Sequence, residues 1–212
     1  MSIRTERLGI AVWVALVSIG ALLAFVARVA GPLPGDLPLA RFLQDLPLPG
    51  GGSGALLSNA DRMVWLLLVV ALAGTLLRRR WSDALFIFLA SFTAVLVGLA
   101  LKLVVARPRP SAELVRVYDP SQSYSFPSIT AFFSVVLLGA IVYLIWRTQL
   151  PHSVLSVAVG TSSVLILVLG LSRVYVGEHW ATDVLGGWLF GAAWLLVLVR
   201  LRQHFILRRG WM

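Results

Sequence analysis

Six apolar runs, each close to the thickness of a bilayer, divide this chain into segments separated by short polar stretches. The first, Leu8 to Val29, is apolar except for Arg28 near its end, and about 20 such residues span the hydrocarbon core as a helix. Others follow at Met63 to Leu77, Ala84 to Val105, about Ala131 to Trp146, about Val154 to Leu171 and about Val184 to Leu201. Because lipid offers no partners to backbone N–H and C=O groups, a run of this kind must satisfy its own hydrogen bonds as a helix. The expected fold is therefore an all-α integral membrane protein, with six transmembrane helices in one bundle forming a single domain over residues 1–212. Spans are placed at 8–29, 63–77, 84–105, 131–146, 154–171 and 184–201, with extracytoplasmic loops at 30–60, 106–130 and 172–180. Composition settles the class: 59% of residues are hydrophobic and 13% charged, with a mean hydropathy of +0.90, well outside the soluble balance.

No hydrophilic block is long enough for a second soluble domain, and the absence of cysteine excludes disulfides, thiolate catalysis and cysteine metal sites. The first run reads as a retained helix. A cleaved signal peptide is the alternative, but the run exceeds an ordinary signal core and no clear small-residue cleavage site follows it. Gly31 to Asn59 is broken by Pro32, Pro34, Pro38, Pro47 and Pro49, so it reads as a loop whose centre, Leu39 to Leu46, lies in the interface without chemistry of its own.

The net charge of +9 is almost all arginine, which in such a chain points to topology and anionic headgroups rather than nucleic acid. With the N-terminus inside, the cytoplasmic side holds Arg4, Arg7, Arg78, Arg79, Arg80, Arg147, Arg200, Arg202, Arg208 and Arg209, against only Glu6 and Asp83. This predicts a multi-pass inner (cytoplasmic) membrane protein with both termini cytoplasmic. The other side keeps Lys102, Arg107, Arg109, Arg116 and Arg173 among its cations, and these need another reason to be there.

Between the last two runs lies Ser172-Arg173-Val174-Tyr175-Val176-Gly177-Glu178-His179-Trp180-Ala181-Thr182-Asp183. If the chain is helical from about Glu178, His179 and Asp183 share one face, and the carboxylate can orient the imidazole as a nucleophile or proton carrier. Arg173 can bring its planar donor fork to an anionic oxygen. The competing reading is that these residues cap a membrane helix at the interface. Lys102, the only lysine, lies inside a span, where a cation costs roughly 2.5–3.5 kcal/mol and is by default functional. Snorkelling to the interface is the alternative for that residue alone. Arg109 follows seven residues later, beyond the helix end that Pro108 and Pro110 impose near Ala106.

Lys102-x6-Arg109-Pro110 followed by Ser172-Arg173-x5-His179-x3-Asp183 resembles the first and third signature motifs of the type 2 phosphatidic acid phosphatase (PAP2) superfamily. The resemblance covers Lys102 to Asp183, with two multi-residue motifs in the expected order. It implies a membrane lipid phosphatase or phosphotransferase acting on a lipid phosphate or diphosphate. By resemblance, His179 attacks phosphorus to form a phosphohistidine, Asp183 orients it, and Lys102, Arg109 and Arg173 hold the phosphoryl oxygens. No metal or cofactor is implied, and the expected site faces the periplasm or exterior. The physical reading agrees, since phosphoryl transfer relies largely on positioning and on charge neutralisation.

The second motif departs from the family. Where the family has Pro-Ser-Gly-His, this chain reads Phe126-Pro127-Ser128-Ile129-Thr130-Ala131. Ser128 can still cap the fourth helix or donate to phosphate, but Thr130 stands at or beside the position of the histidine that, by resemblance, protonates the leaving group. His152 and His204 fall at the opposite membrane face and do not replace it. Four readings stay open: a leaving group stable without protonation, as from a lipid diphosphate; another acid, among Tyr124, Asp119, Glu113 and Glu178; a catalytically impaired protein that binds or transports phospholipid or polyprenyl phosphate; or an inactivated enzyme. A transporter is the hypothesis from another class, and no inverted repeats or paired broken spans favour it. Gly186, Gly187 and Gly191 read as close packing within the bundle or, alternatively, a helix-dimer face.

Overall fold

The structure, a computed structural model, describes residues 3–46, 57 and 59–209. Seven helices and no strand occur among them: α1 (Ile3–Val29), α2 (Asp36–Asp45), α3 (Ala60–Leu77), α4 (Trp81–Val105), α5 (Ile129–Arg147), α6 (His152–Tyr175) and α7 (Ala181–Arg209). Five of them are long and apolar enough to cross a membrane: Arg7–Val29, Trp81–Val105, Ile129–Arg147, His152–Tyr175 and Ala181–Phe205. The second expected span, 63–77, lies inside α3, an 18-residue helix that carries Asp61 and Arg62 in its first turn.

Helix α5 is central and packs against α3, α4, α6 and α7, with α1 laid along α7 and α4. Its Phe132, Val136, Leu137 and Ala140 are fully buried and form the middle of the main core with Ile87, Ala90 and Ala94 of α4. The outward faces remain strongly apolar: Leu22, Phe25, Leu66, Val69, Phe92, Leu103, Val164 and Leu167 are all exposed. A belt of that size on every side is what lipid, rather than water, accommodates. At Gly187 the backbone of α7 meets the first turn of α5 so closely that an added Cβ would lie 2.6 Å from the Ser128 carbonyl oxygen. This contact is internal packing, one of the two uses expected for that glycine.

Three local endings shape the site. Helix α4 stops at Val105, where Ala106 turns into the left-handed region at φ 51° and its N–H donates to the Lys102 carbonyl at 2.8 Å. Helix α6 runs four residues beyond the expected Leu171, so Arg173 stands on its last turn instead of in a loop. Gly177 then takes φ +75°, with its N–H on the Val174 carbonyl at 3.1 Å, the left-handed residue that closes a helix. A side chain there would also strike the Arg116 carbonyl oxygen at 2.2 Å.

The segment expected to be a loop with a short amphipathic interfacial piece at Leu39 to Leu46 contains α2, which begins at Asp36 with Pro38 in its first turn, where a missing N–H costs nothing. Asp36 is fully buried. Instead of floating in the interface, α2 is pinned to the head of the bundle. The remainder of that loop, 47–56 and 58, lies outside the described residues.

Candidate active site

The site lies at one end of the bundle, where the end of α4, the 106–128 segment, the start of α5, the end of α6 and the start of α7 converge. His179 is not on a helix, contrary to the expectation of helix from Glu178: α7 starts only at Ala181. The pair forms differently. The N–H of Trp180 donates to Asp183 Oδ2 at 2.8 Å, a carboxylate in the first turn reaching back to the residue before the helix. This loop geometry leaves His179 Nδ1 3.6 Å from Asp183 Oδ2, longer than a hydrogen bond, and among the described residues Nδ1 has no hydrogen-bond partner. The His179 N–H is tied to the Arg173 carbonyl at 3.2 Å.

Asp183 is fully buried and its oxygens are occupied. Oδ1 accepts from Arg107 Nη1 at 2.5 Å, and Oδ2 accepts from Ser125 Oγ as well as from Trp180. Arg107 uses its other arm on Asp36 Oδ2 and on the Gly31 carbonyl, both at 2.7 Å, while Thr182 Oγ1 accepts from Nη1 at 2.8 Å. A carboxylate, a guanidinium and a second carboxylate thus stand in line, all with side chains 0% exposed. Burial holds the His179 imidazole down to about pKa 4, with Lys102 and Arg109 acting in the same direction and Asp183 opposing. That lowering favours the uncharged imidazole at neutral pH, with Nδ1 toward the carboxylate and Nε2 free of it.

His179 opens on a cavity of about 460 Å³ whose lining includes Lys102, Arg109, Asp119, Glu178, Thr130 and Asp61 on its polar side and Val64, Trp65, Val95, Ile129 and Phe133 on its apolar side. Lys102 faces inward and is buried, donating to the Tyr124 and Ser125 carbonyls. Arg109 uses all three nitrogens: Nε to the Ser123 carbonyl, Nη2 to Ser123 Oγ and Nη1 to the Glu178 carbonyl, each at 2.8 Å. Burial lowers its pKa from the ordinary arginine value, opposed by Glu178. Arg173 is not on the cavity wall. It stands behind it, fully buried, with Nη1 3.3 Å from Glu178 Oε1 and 3.6 Å from Asp61 Oδ2. Glu178 Oε2 lies 3.6 Å from Arg109 Nη1, so one carboxylate bridges both arginines. Burial raises the Glu178 carboxyl, and Arg173 is the main opposing influence.

Of the two uses open to Ser128, capping α5 or donating to phosphate, the structure shows the cap. Ser128 is fully buried, its Oγ caps α5 by accepting from the Ala131 N–H at 3.5 Å, and its own N–H donates to the Asp183 carbonyl at 3.0 Å. Of the four acids considered as replacements, Glu178 and Asp119 line the cavity, whereas Glu113 lies in a separate one with Arg41 and Arg116 and Tyr124 is exposed and outside that lining. Thr130 is at the wall, and its hydroxyl donates to Asp61 Oδ1.

Asp61, Arg107, Asp36 and Ser125 were not foreseen. Asp61 reads in sequence as an ordinary first-turn acid of a helix, and Asp36 as a loop residue ahead of the interfacial piece at Leu39 to Leu46. Arg107 had one faint signal, its place in Arg-Pro-Arg-Pro beside Arg109. Among the described residues, no group of three or more His, Asp or Glu side chains is arranged to hold a metal.

A sequence model described as the PAP2 superfamily matches residues 63–206. The chain is similar to phosphatidylglycerophosphatase B of Bacillus subtilis (strain 168), 33% identical over 130 residues that cover 59% of this chain and 61% of that protein. It is also similar to undecaprenyl-diphosphatase of Sulfolobus acidocaldarius, 32% identical over 114 residues covering 50% of this chain and 48% of the relative. The chain therefore spans only about half to three fifths of the curated relatives it matches. Among solved structures, the transmembrane PAP2-type phosphatidylglycerolphosphate phosphatase of Bacillus subtilis superposes with a TM-score of 0.77 at 23% identity, covering 91% of this chain and 96% of that one. LpxE of Aquifex aeolicus gives 0.62 at 19%, covering 81% and 99%. At those identities the superpositions speak for the fold alone. The matched stretch runs from α3 into α7 and carries Lys102, Arg109, Arg173, His179 and Asp183: the chain belongs to the PAP2 superfamily.

Proposed function

We propose that this chain is a membrane lipid phosphatase or phosphotransferase that works through a phosphohistidine at His179. The observation that carries the reading is an uncharged, buried imidazole with one nitrogen toward Asp183, opening on a cavity that also presents Lys102 and Arg109. The lone pair of His179 Nε2 attacks phosphorus, the leaving oxygen departs with the bonding pair, and the positive charge gained by the imidazole meets Asp183. Lys102 and Arg109, with Arg173 behind them, neutralise charge on the phosphoryl oxygens without reorganisation at the moment of reaction. Water, or the hydroxyl of an acceptor, then takes the phosphoryl group.

The half-apolar cavity lining suits an amphiphile whose phosphate reaches His179 while its chain lies along Trp65 and Phe133. The names of the two curated relatives, a phosphatidylglycerophosphatase and an undecaprenyl-diphosphatase, support a phospholipid monoester or a polyprenyl diphosphate as substrate. Thr130 favours the diphosphate, because its leaving phosphate is already a stable anion. We further infer that the whole chain is one transmembrane domain of six spans, α3 included, with both termini cytoplasmic and lipid entering laterally from the outer leaflet. The charge distribution supports that orientation.

The test is phosphate release by the purified protein from phosphatidylglycerophosphate and from undecaprenyl diphosphate, with His179→Ala as the blank. Release from at least one substrate, lost in the variant, is expected. Saturable binding of both lipids without any release would establish instead the second reading, a catalytically impaired lipid-phosphate binder, which Thr130 in place of histidine favours.

A further inference from the structure

Asp61 projects from the first turn of α3 into the cavity that holds His179, far in sequence from every motif residue. It is held from two sides: Thr130 Oγ1 donates to Oδ1, and Arg173 Nη1 faces Oδ2 at 3.6 Å. Its side chain is nevertheless 50% exposed, unlike those of Glu178 and Asp183, so it meets both the reacting space and solvent.

We infer that Asp61 is a catalytic base that takes the proton of the attacking water when the phosphohistidine is hydrolysed, and that Thr130 positions it. The inference rests on the phosphohistidine reading above and adds the residue that completes the second half-reaction. In that step the water oxygen forms a bond to phosphorus, the Nε2–P bond breaks and its pair returns to the imidazole, and the water proton passes to Asp61. Inorganic phosphate leaves, and Asp61 releases the proton to solvent at the cavity mouth.

Three observations favour Asp61 over the other carboxylates on the wall. Glu178 is engaged on both oxygens, by Arg173 at 3.3 Å and Arg109 at 3.6 Å. Asp119 also lines the cavity, but among the described residues no side-chain hydrogen bond fixes it. Asp61 alone combines access with a fixed direction: Oδ1 accepts from Thr130, while Oδ2 has only the Arg173 guanidinium at 3.6 Å, beyond hydrogen-bond reach, and its half-exposed side chain leaves it open to a water molecule. Thr130 thereby has a use: its hydroxyl donates to the base instead of supplying a proton to the leaving group. A site with a base for water and no dedicated acid suits a lipid diphosphate, which needs the first and not the second.

The experiment is rapid quench into alkali with undecaprenyl diphosphate carrying ³²P at its terminal phosphate. It is run on wild type, Asp61→Asn and Thr130→Val, each verified as folded by circular dichroism in micelles. Wild type should show transient label on His179. In Asp61→Asn the label should rise to near one per chain and then decay about 10²- to 10⁴-fold more slowly, the usual span for a lost proton acceptor. Thr130→Val should slow the decay by a smaller factor with labelling unchanged, which keeps the test available if Asp61→Asn does not fold. Labelled His179 that decays at the wild-type rate in Asp61→Asn, or in Thr130→Val where only that variant folds, overturns this inference alone. Equal slowing of labelling and decay also overturns it. No label on His179 in the wild type or in either variant, with phosphate still released, overturns the phosphohistidine reading and this inference with it.

Discussion

Two ion pairs of the same length, 2.5 Å, give the molecule a built-in comparison. Arg107–Asp183 continues into Arg107–Asp36 at 2.7 Å, with all three side chains 0% exposed. Arg116–Asp45 lies on the surface with side chains 56% and 73% exposed. Asp36→Ala removes the acceptor for Arg107 Nη2, the Leu33 N–H, the Thr182 N–H and the Thr182 hydroxyl. It leaves a guanidinium in the interior with half its charge compensation gone, and breaking a buried pair in this way costs about 3–5 kcal/mol. In a chain of this size, with about 2–4 °C per kcal/mol, the melting temperature should fall by roughly 6–20 °C. Asp45→Ala removes an interaction worth about 0–1 kcal/mol and serves as the control. Both are read by thermal unfolding in the same detergent, followed by tryptophan fluorescence. Equal, small shifts in the two variants would refute the assignment of α2 as an anchor of the site.

Other outcomes follow from the site. Burial lowers the His179 imidazole to a pKa of about 4 in the fold against about 6.5 when unfolded, so the uncharged form that the proposed attack requires persists down to about pH 4. The acid limb of kcat/KM should fall near pH 4, and a limb near 6.5 would contradict its burial. The same depression means that lowering the pH from 6.5 to 4 costs the fold up to about 3 kcal/mol, a loss that His179→Asn should abolish in unfolding measured across that range. Arg109→Lys keeps the charge but loses the fork that joins Ser123 to the Glu178 carbonyl; KM for lipid phosphate should rise at least several-fold, and an unchanged KM would remove Arg109 from the clamp. Thr130→His, alone or with Ile129→Gly, supplies an acid to the leaving group but removes the hydroxyl that orients Asp61, so phosphorylation of His179 by monoesters should speed up while diphosphates gain nothing, and His179→Ala should abolish the gain. Cysteines placed at Ser121 and Ser82 report orientation: an impermeant thiol reagent on intact cells should label the first and not the second.

The helices could be read from sequence because a membrane imposes one solution on a long apolar run, and the end of α4 because Pro108 and Pro110 leave little choice; the end of α6 lies four residues past the expected one, since polar Ser172 and Arg173 end the apolar run before the helix ends. Lys102 was legible for the same reason: a cation in such a run faces the interior. The His179–Asp183 pairing was legible by spacing, although its route was not, since a first-turn carboxylate reaching back across Trp180 brings the two as near as a helical turn would. What stayed hidden depends on contacts across long separations. Asp36 meets Thr182 across 146 positions and Asp61 meets Thr130 across 69, and an acid at the start of a helix has a sufficient local explanation in the helix dipole. Ser128 shows the converse: its place just before an apolar run allowed both a cap and a phosphate contact, and the local geometry makes it the cap of α5.

The central claim, covalent catalysis at His179, is tested most directly by mass spectrometry of the protein quenched in alkali during turnover of undecaprenyl diphosphate or phosphatidylglycerophosphate. An acid-labile phosphoryl group of about 80 Da, mapped to the peptide containing His179 and absent from His179→Asn, is predicted. Phosphate release at full rate from wild type with that peptide never modified, or undiminished release by His179→Asn, would contradict it.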